Sequence, residues 1–179
     1  MKTNEWAKTI LYVYKYLETV SEGIDKLINQ NALNSFYTRG EKQAENGVMA
    51  VANRIIDLSG RKAKLINIKV LADKALQKID KIGAQILIER YIDNFEAFEI
   101  AEHHNLNIRT YFRRLYQAEV NFSQAMARLG FSEAKLAKYL EKEAWILEVY
   151  QKFKNEKQEG KRVIEEDLQE EIEECLMVC

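Results

Sequence analysis

Apolar residues recur along this chain at helical spacing, and in two long stretches the spacing is that of a heptad. Trp6, Ile10, Val13, Leu17, Val20, Ile24 and Leu27 are separated alternately by four and three positions. Such a seam favours a helix packed lengthwise on another helix over one lying on a broad core. Tyr12, Tyr14 and Tyr16 flank it and widen the contact. The run from Asn29 to Gly40 mixes turn formers with the aromatic pair Phe36 and Tyr37, and reads as the end of that helix and a loop. A second helix, opening after Gly47, carries Val51, Ile55 and Leu58, then Leu65, Ile68, Ala72, Ala75, Ile79 and Ile82 in the same rhythm. Arg61 and Lys62 interrupt the seam just after Gly60, so a kink or short break is expected there. Together the two stretches predict an antiparallel hairpin, or a coiled-coil dimer if each seam finds its mate in a second chain.

Between Ile82 and Met126 the pattern shortens into three amphipathic pieces. The first ends in Leu87-Ile88-Glu89-Arg90-Tyr91-Ile92 and stops at Asp93-Asn94, where Asn can take the left-handed conformation that otherwise calls for Gly. A short helix from about Phe95 to His104 then turns Phe98 or Ala97 inward with Ile100 and Ala101. Asn105-Leu106-Asn107 follows: Asn105 stands where a tight turn needs φ > 0, and Asn107 is a good N-cap for a helix opening at Ile108. Helix, three-residue turn, helix, with a small residue in the first and an aliphatic residue in the turn, is the grammar of a helix-turn-helix. In the last piece Tyr111, Leu115, Ala118 and Phe122 form one buried stripe, which leaves Arg109, Thr110, Arg113, Arg114 and Gln117 on the opposite face. Arg can donate two hydrogen bonds to guanine in a major groove, Gln can read adenine, and Thr can touch a phosphate or a thymine methyl. That face predicts binding of double-stranded DNA.

Beyond Gly130, Ser132 is positioned as the N-cap of another helix, and Leu136, Leu140, Ala144, Leu147 and Tyr150, with Trp145 and Ile146, give a broad apolar face. It is expected to pack on the DNA-binding module or to join two copies of the chain as a homodimer. The last segment, Val163 to Cys179, spaces Val163 or Ile164, Leu168, Ile172, Cys175 and Leu176 as an amphipathic helix would.

Composition narrows the class further. The chain has 179 residues, 47% of them apolar and 31% charged, with seven glycines and no proline. Average usage would give about nine prolines, so an all-α fold of long helices joined by Gly and Asn turns is expected. The expected organisation is a helical hairpin or coiled coil over 1–80, a helix-turn-helix over 81–130, and C-terminal helices with an acidic tail over 131–179. Net charge is only −1, yet Arg61 to Arg128 holds twelve basic and eight acidic residues, whereas Val163 to Cys179 holds seven acids and no base. Seven of those bases fall between Arg61 and Lys81, as a solvated helix face or as auxiliary contacts to phosphate. The acidic tail is expected either to stay solvated or to compete with DNA for a basic surface.

No apolar stretch approaches the ~20 residues of a membrane span, and the N-terminus lacks the apolar core of a signal peptide, so a cytoplasmic protein is expected. Cys175 and Cys179 lie together at the C-terminus without a His beside them, which argues against a disulfide framework and against zinc. His103 and His104 are adjacent, and neighbouring helical side chains diverge by about 100°, so they do not readily share one ion. Neither a nucleophile triad nor a Gly-rich phosphate loop is present. The sequence therefore predicts no enzyme activity, no cofactor and no metal.

Residues 99–118, EIAEHHNLNIRTYFRRLYQA, resemble the helix-turn-helix of sigma-factor region four, and ERYID at 89–93 resembles the helix before it. The segment resembles more closely the ArpU/RinA-like phage late-transcription regulators of Gram-positive bacteria, through Thr110-Tyr111-Phe112-Arg113 followed by Ala118 and Phe122. Members of that group tend to place a helical region before a sigma-like module, which is the order here. Asn105 stands where those motifs usually carry Gly, His104 where they carry Leu, and Asn107 where they carry Ser or Thr. The resemblance implies a transcription regulator of phage or mobile-element type, with RNA polymerase as a further partner. Two alternatives share the helical pattern: a small terminase-type DNA-packaging protein, and a helical adaptor that binds no DNA.

Overall fold

The two heptad helices are α1, Glu5–Tyr37, and α2, Ala44–Leu76. They form an antiparallel hairpin in this computed structural model, which describes residues 5–37 and 44–159. Its register is fixed by polar contacts along one side. The Tyr14 hydroxyl donates to Asp73 Oδ1 at 2.6 Å, Lys69 Nζ donates to Glu18 Oε2, and Lys62 Nζ donates to Asp25 at 2.6–2.7 Å. As α1 advances from Tyr14 to Asp25, its partners step back from Asp73 to Lys62, which sets the chains antiparallel. Burial and the bond to Asp73 push the Tyr14 pKa up to about 12. The seam itself closes as the spacing predicts: Trp6, Ile10, Val13, Leu17 and Ile24 on α1 are buried against Leu58, Leu65, Ile68, Ala72 and Ala75 on α2. Ile82, the last position assigned to the seam, is instead 44% exposed, because α2 stops at Leu76 and Ile82 belongs to the next helix.

Both boundaries of the hairpin loop differ from the sequence expectation. α1 continues through Asn29–Tyr37, and α2 opens at Ala44, before Gly47. No Gly or Pro interrupts 29–37, and the Asn31 side chain donates to the Leu27 carbonyl at 2.7 Å inside the helix. The break expected at Gly60 is also absent, since α2 is continuous through it. Leu58 and Leu65 are seven apart, so the heptad phase survives and Arg61 occupies a seam position. Its guanidinium donates to both oxygens of Glu143, each at 3.1 Å, and Glu143 is 1% exposed.

Helix α3, Lys81–Leu87, passes directly into a π turn, Ile88–Ile92, and is followed by α4, Ala97–His103, and α5, Ile108–Arg128. The chain closes with α6, Glu133–Tyr139, and α7, Ala144–Glu159. Every regular element among the described residues is helical. The C-terminal helices do not pack as expected. α7 lies on α1, with Trp6 stacked on Tyr150 at 4.3 Å between ring centroids and Tyr12 edge-on to Phe153 at 5.9 Å. Of the expected apolar face, Leu136, Leu140 and Ile146 are buried and Trp145, Leu147 and Tyr150 half-buried, with Val149 buried beside them and Ala144 exposed, and that face meets the hairpin. α6 touches α2, where Asn67 Nδ2 donates to the Tyr139 hydroxyl at 3.1 Å. Ser132 does stand at the N-cap of α6, though its side chain makes no capping bond.

Among the described residues no helix is long and apolar enough to cross a membrane. The acidic segment 163–179, with Cys175 and Cys179, lies outside the described residues, as does the centre of the hairpin loop at 38–43.

Candidate nucleic-acid interface

Residues 81–130 fold as three helices around a turn, each boundary being set by local chemistry. Asp80 caps α3 by accepting the Gly83 N–H at 2.8 Å. A Cβ at position 83 would lie 2.8 Å from Asp80 Oδ1, the other oxygen of the same carboxylate, so the cap sits close over a residue without a side chain. The helix then widens into its π turn, Asp93 N–H reaching the Ile88 carbonyl at 3.0 Å, and ends at Asn94 with φ 58°. Asn105 closes α4 at φ 52°, where Leu106 N–H returns to the Ala101 carbonyl at 2.7 Å and Asn105 N–H to Glu102 at 3.0 Å. That pair of bonds is a Schellman closure, with asparagine in the place glycine usually takes. Asn107 caps α5, its Oδ1 accepting the Thr110 N–H at 2.8 Å. Such a cap stabilises a helix by about 1 kcal/mol.

Against this frame α5 turns Tyr111, Leu115, Ala118 and Phe122 inward, all at most 9% exposed. In α4, Ala97 lies against the core with Ile100 and Ala101, while Phe98 is 73% exposed and faces outward. Arg109, Arg113, Arg114 and Gln117 are exposed on the outer face of α5, and Thr110 is half-buried beside them. Among the described residues no carboxylate pairs with Arg109, Arg113 or Arg114. Gln117 donates to Asn121 Oδ1 at 2.9 Å, a bond along the helix surface that holds its amide outward.

Glu119, the one acid in the sequence of α5, is not on that face. It is 4% exposed in the core, where it accepts the Tyr91 hydroxyl at 2.6 Å and lies 3.5 Å from Lys8 Nζ. Burial raises its pKa, against the pull of Lys8 and the Tyr91 bond, and burial drives the Tyr91 phenol well above its ordinary value. Lys8, Tyr91 and Glu119 thereby tie α1, the π turn and α5 into one unit. The spacing of apolar residues gave no sign of this site, because a Glu on a helix ordinarily reads as surface.

His104 sits at the close of α4, its side chain 14% exposed and its Nε2 3.0 Å from Glu89 Oε2. Glu89 supplies the polar partner that makes burial of a histidine tolerable at a position where the similar motifs carry Leu. His103 Nδ1 is 3.9 Å from the same oxygen, and its ring stands edge-on to Phe95 at 5.5 Å. No cluster of His, Cys, Asp or Glu able to hold a metal ion exists among the described residues.

The electrostatics are directional. Residues 81–130 hold six basic and six acidic side chains and are neutral as a whole. The acids Glu96, Glu99 and Glu102 are exposed on α4, whereas α5 exposes only bases. Much of the basic run preceding the module is already engaged. Arg61 is paired with Glu143, Lys62 with Asp25 and Lys69 with Glu18, and Lys64 lies over the Tyr139 ring at 5.7 Å. That run contributes fewer free cations than its composition suggests, and the auxiliary phosphate contacts expected of it reduce to Lys74, Lys78 and Lys81, which are exposed. No family model matches the chain, and no curated protein or solved structure matches it.

Proposed function

We propose that this protein is a sequence-specific DNA-binding transcription regulator of phage or mobile-element type, which inserts α5 into the major groove. One observation carries the reading: a capped 21-residue helix follows a tight helix-turn and presents Arg109, Arg113, Arg114 and Gln117, its cations unpaired among the described residues, opposite a fully packed stripe. Surface arginines on an ordinary bundle helix usually meet carboxylates three or four residues away, and α5 carries none on this face. The arrangement supports direct readout by Arg113, Arg114 and Gln117, with Arg109 and Thr110 near the phosphates at the helix N-terminus. The likeness of residues 99–118 to ArpU/RinA-like and sigma region-four segments supports the same reading and brings RNA polymerase forward as a further partner.

Because α4 is acidic, few phosphates are contacted, and affinity rests more on base edges than on charge. Selection of duplex fragments from a random pool at two salt concentrations tests this. A single enriched motif that persists at the higher salt is the expected result. Enrichment without a motif, vanishing as salt rises, indicates phosphate-only binding and contradicts it.

A further inference from the structure

We propose that the free end of the α1–α2 hairpin is a self-association surface, covered by a second copy of this chain. Among the residues whose burial is described, Ile24 is the last buried apolar residue of α1, and Leu58 is the first of α2. Beyond that level no other helix among the described residues lies over the two: α7 meets α1 at Trp6 and Tyr12, and α6 meets α2 at Asn67. Yet the projection is apolar. Met49 is 65% exposed, Ile56 66%, Leu33 57% and Val48 50%. Leu27, Ile28, Val51 and Ile55 are only half-buried beside them.

The chemistry of the projection selects its partner. In a chain that is 31% charged, residues 27–33 and 47–53 contain no Asp, Glu, Lys or Arg at all. Monomer surfaces seldom lack charge over such a span, whereas the centres of protein interfaces are depleted in it. Nucleic acid would find no cation there, and the acidic segment 163–179 of the same chain would find nothing to oppose its seven negative charges. A second copy meets no such obstacle. An uncharged patch applied to itself across a two-fold axis brings no like charges together, and two apolar hairpins pack as a four-helix bundle. At the base of the patch the exposed charges are balanced, Glu22 and Asp57 against Lys26 and Arg54, so a partner related by symmetry can set each sign against its opposite.

Size is adequate for a modest complex. About 20 Å of free hairpin, two helices wide, projects about 400 Å² per copy, and the ridged accessible surface exceeds that projection. The pair therefore lies near the lower limit of specific interfaces, at about 1,000 Å² in total. The contact is independent of DNA binding.

Sedimentation of the full-length chain from about 1 to about 100 μM tests the proposal. The expected mass rises from one copy to two, and the double variant Met49→Glu with Ile56→Glu stays at one copy, weakened more than about thirtyfold. Both positions already face water in the single chain, so helicity and the thermal midpoint of the variant should match the parent under dilute conditions. Phe98→Glu, at an exposed apolar site far from the tip in sequence, should pair like the parent. A parent that remains a single copy at the top concentration overturns the proposal. So does a double variant that still pairs, a mass that climbs past two, or loss of pairing in Phe98→Glu.

Discussion

Replacing Arg61 with alanine removes a cation from a hydrophobic seam, which naive accounting would score as stabilising. The geometry gives the opposite sign. Glu143 is 1% exposed and receives both guanidinium bonds at 3.1 Å, so the truncation strands a buried carboxylate between α2 and the start of α7. Breaking a fully buried pair costs about 3–5 kcal/mol. The Arg61 side chain is 35% exposed, so water already screens part of the interaction and about 2–3 kcal/mol is the better expectation. At about 2–4 °C per kcal/mol for a chain of this size, the midpoint of thermal unfolding should fall by about 5–10 °C. Glu143→Ala should cost less, because the freed arginine can swing into solvent. The double variant should be more stable than the two single losses predict, with a coupling of about 1–2 kcal/mol. Urea and thermal unfolding at neutral pH of all four proteins measure this directly. Strict additivity, or an Arg61→Ala loss under about 0.5 kcal/mol, would show that the clamp does not hold the C-terminal helices to the hairpin.

Three further outcomes follow from individual sites. Glu119 has its pKa raised by burial, so over the range between the ordinary carboxylate value and the folded one the native state binds the extra proton. Its contribution to stability is therefore lost as pH rises through that window, and Glu119→Gln should unfold with a flatter pH profile above the ordinary carboxylate range, the Tyr91 hydroxyl still finding an oxygen. Parallel profiles for parent and variant would place Glu119 in water. Asn105, at φ 52°, should tolerate Gly and lose about 1 kcal/mol with Ala, and equal stability of the two variants would argue against the left-handed turn. Trp6→Ala should cost about 3–5 kcal/mol, since it empties a site 2% exposed and stacked on Tyr150, whereas a loss below about 1 kcal/mol would show α7 to be undocked.

Most of the architecture was legible because it depends on spacing and on residues with narrow backbone preferences. Heptads located the hairpin, and asparagines at 94, 105 and 107 located the boundaries of the central helices. What escaped was whatever depended on contacts between distant residues. Arg61 looked like a break because its partner lies 82 positions away, and Glu119 looked like surface because Tyr91 and Lys8 come from other elements. The partner of α7 was missed for a similar reason: its apolar spacing is local, but Trp6 and Tyr12, which receive Tyr150 and Phe153, come from α1. The outward face of α5 was readable because it is the complement of a stripe that the apolar spacing defines.

That face is the centre of the account, and titration of Arg113→Ala/Arg114→Ala against a selected duplex tests it most directly. Both side chains lie in solvent, so helicity and the thermal midpoint should be retained. Each good bidentate base contact is worth about 1–3 kcal/mol, so loss of both should weaken binding to the selected site by about 30-fold to beyond 1,000-fold while weak nonspecific binding changes far less. A folded double variant that binds the selected duplex as tightly as the parent would contradict insertion of α5 into the major groove.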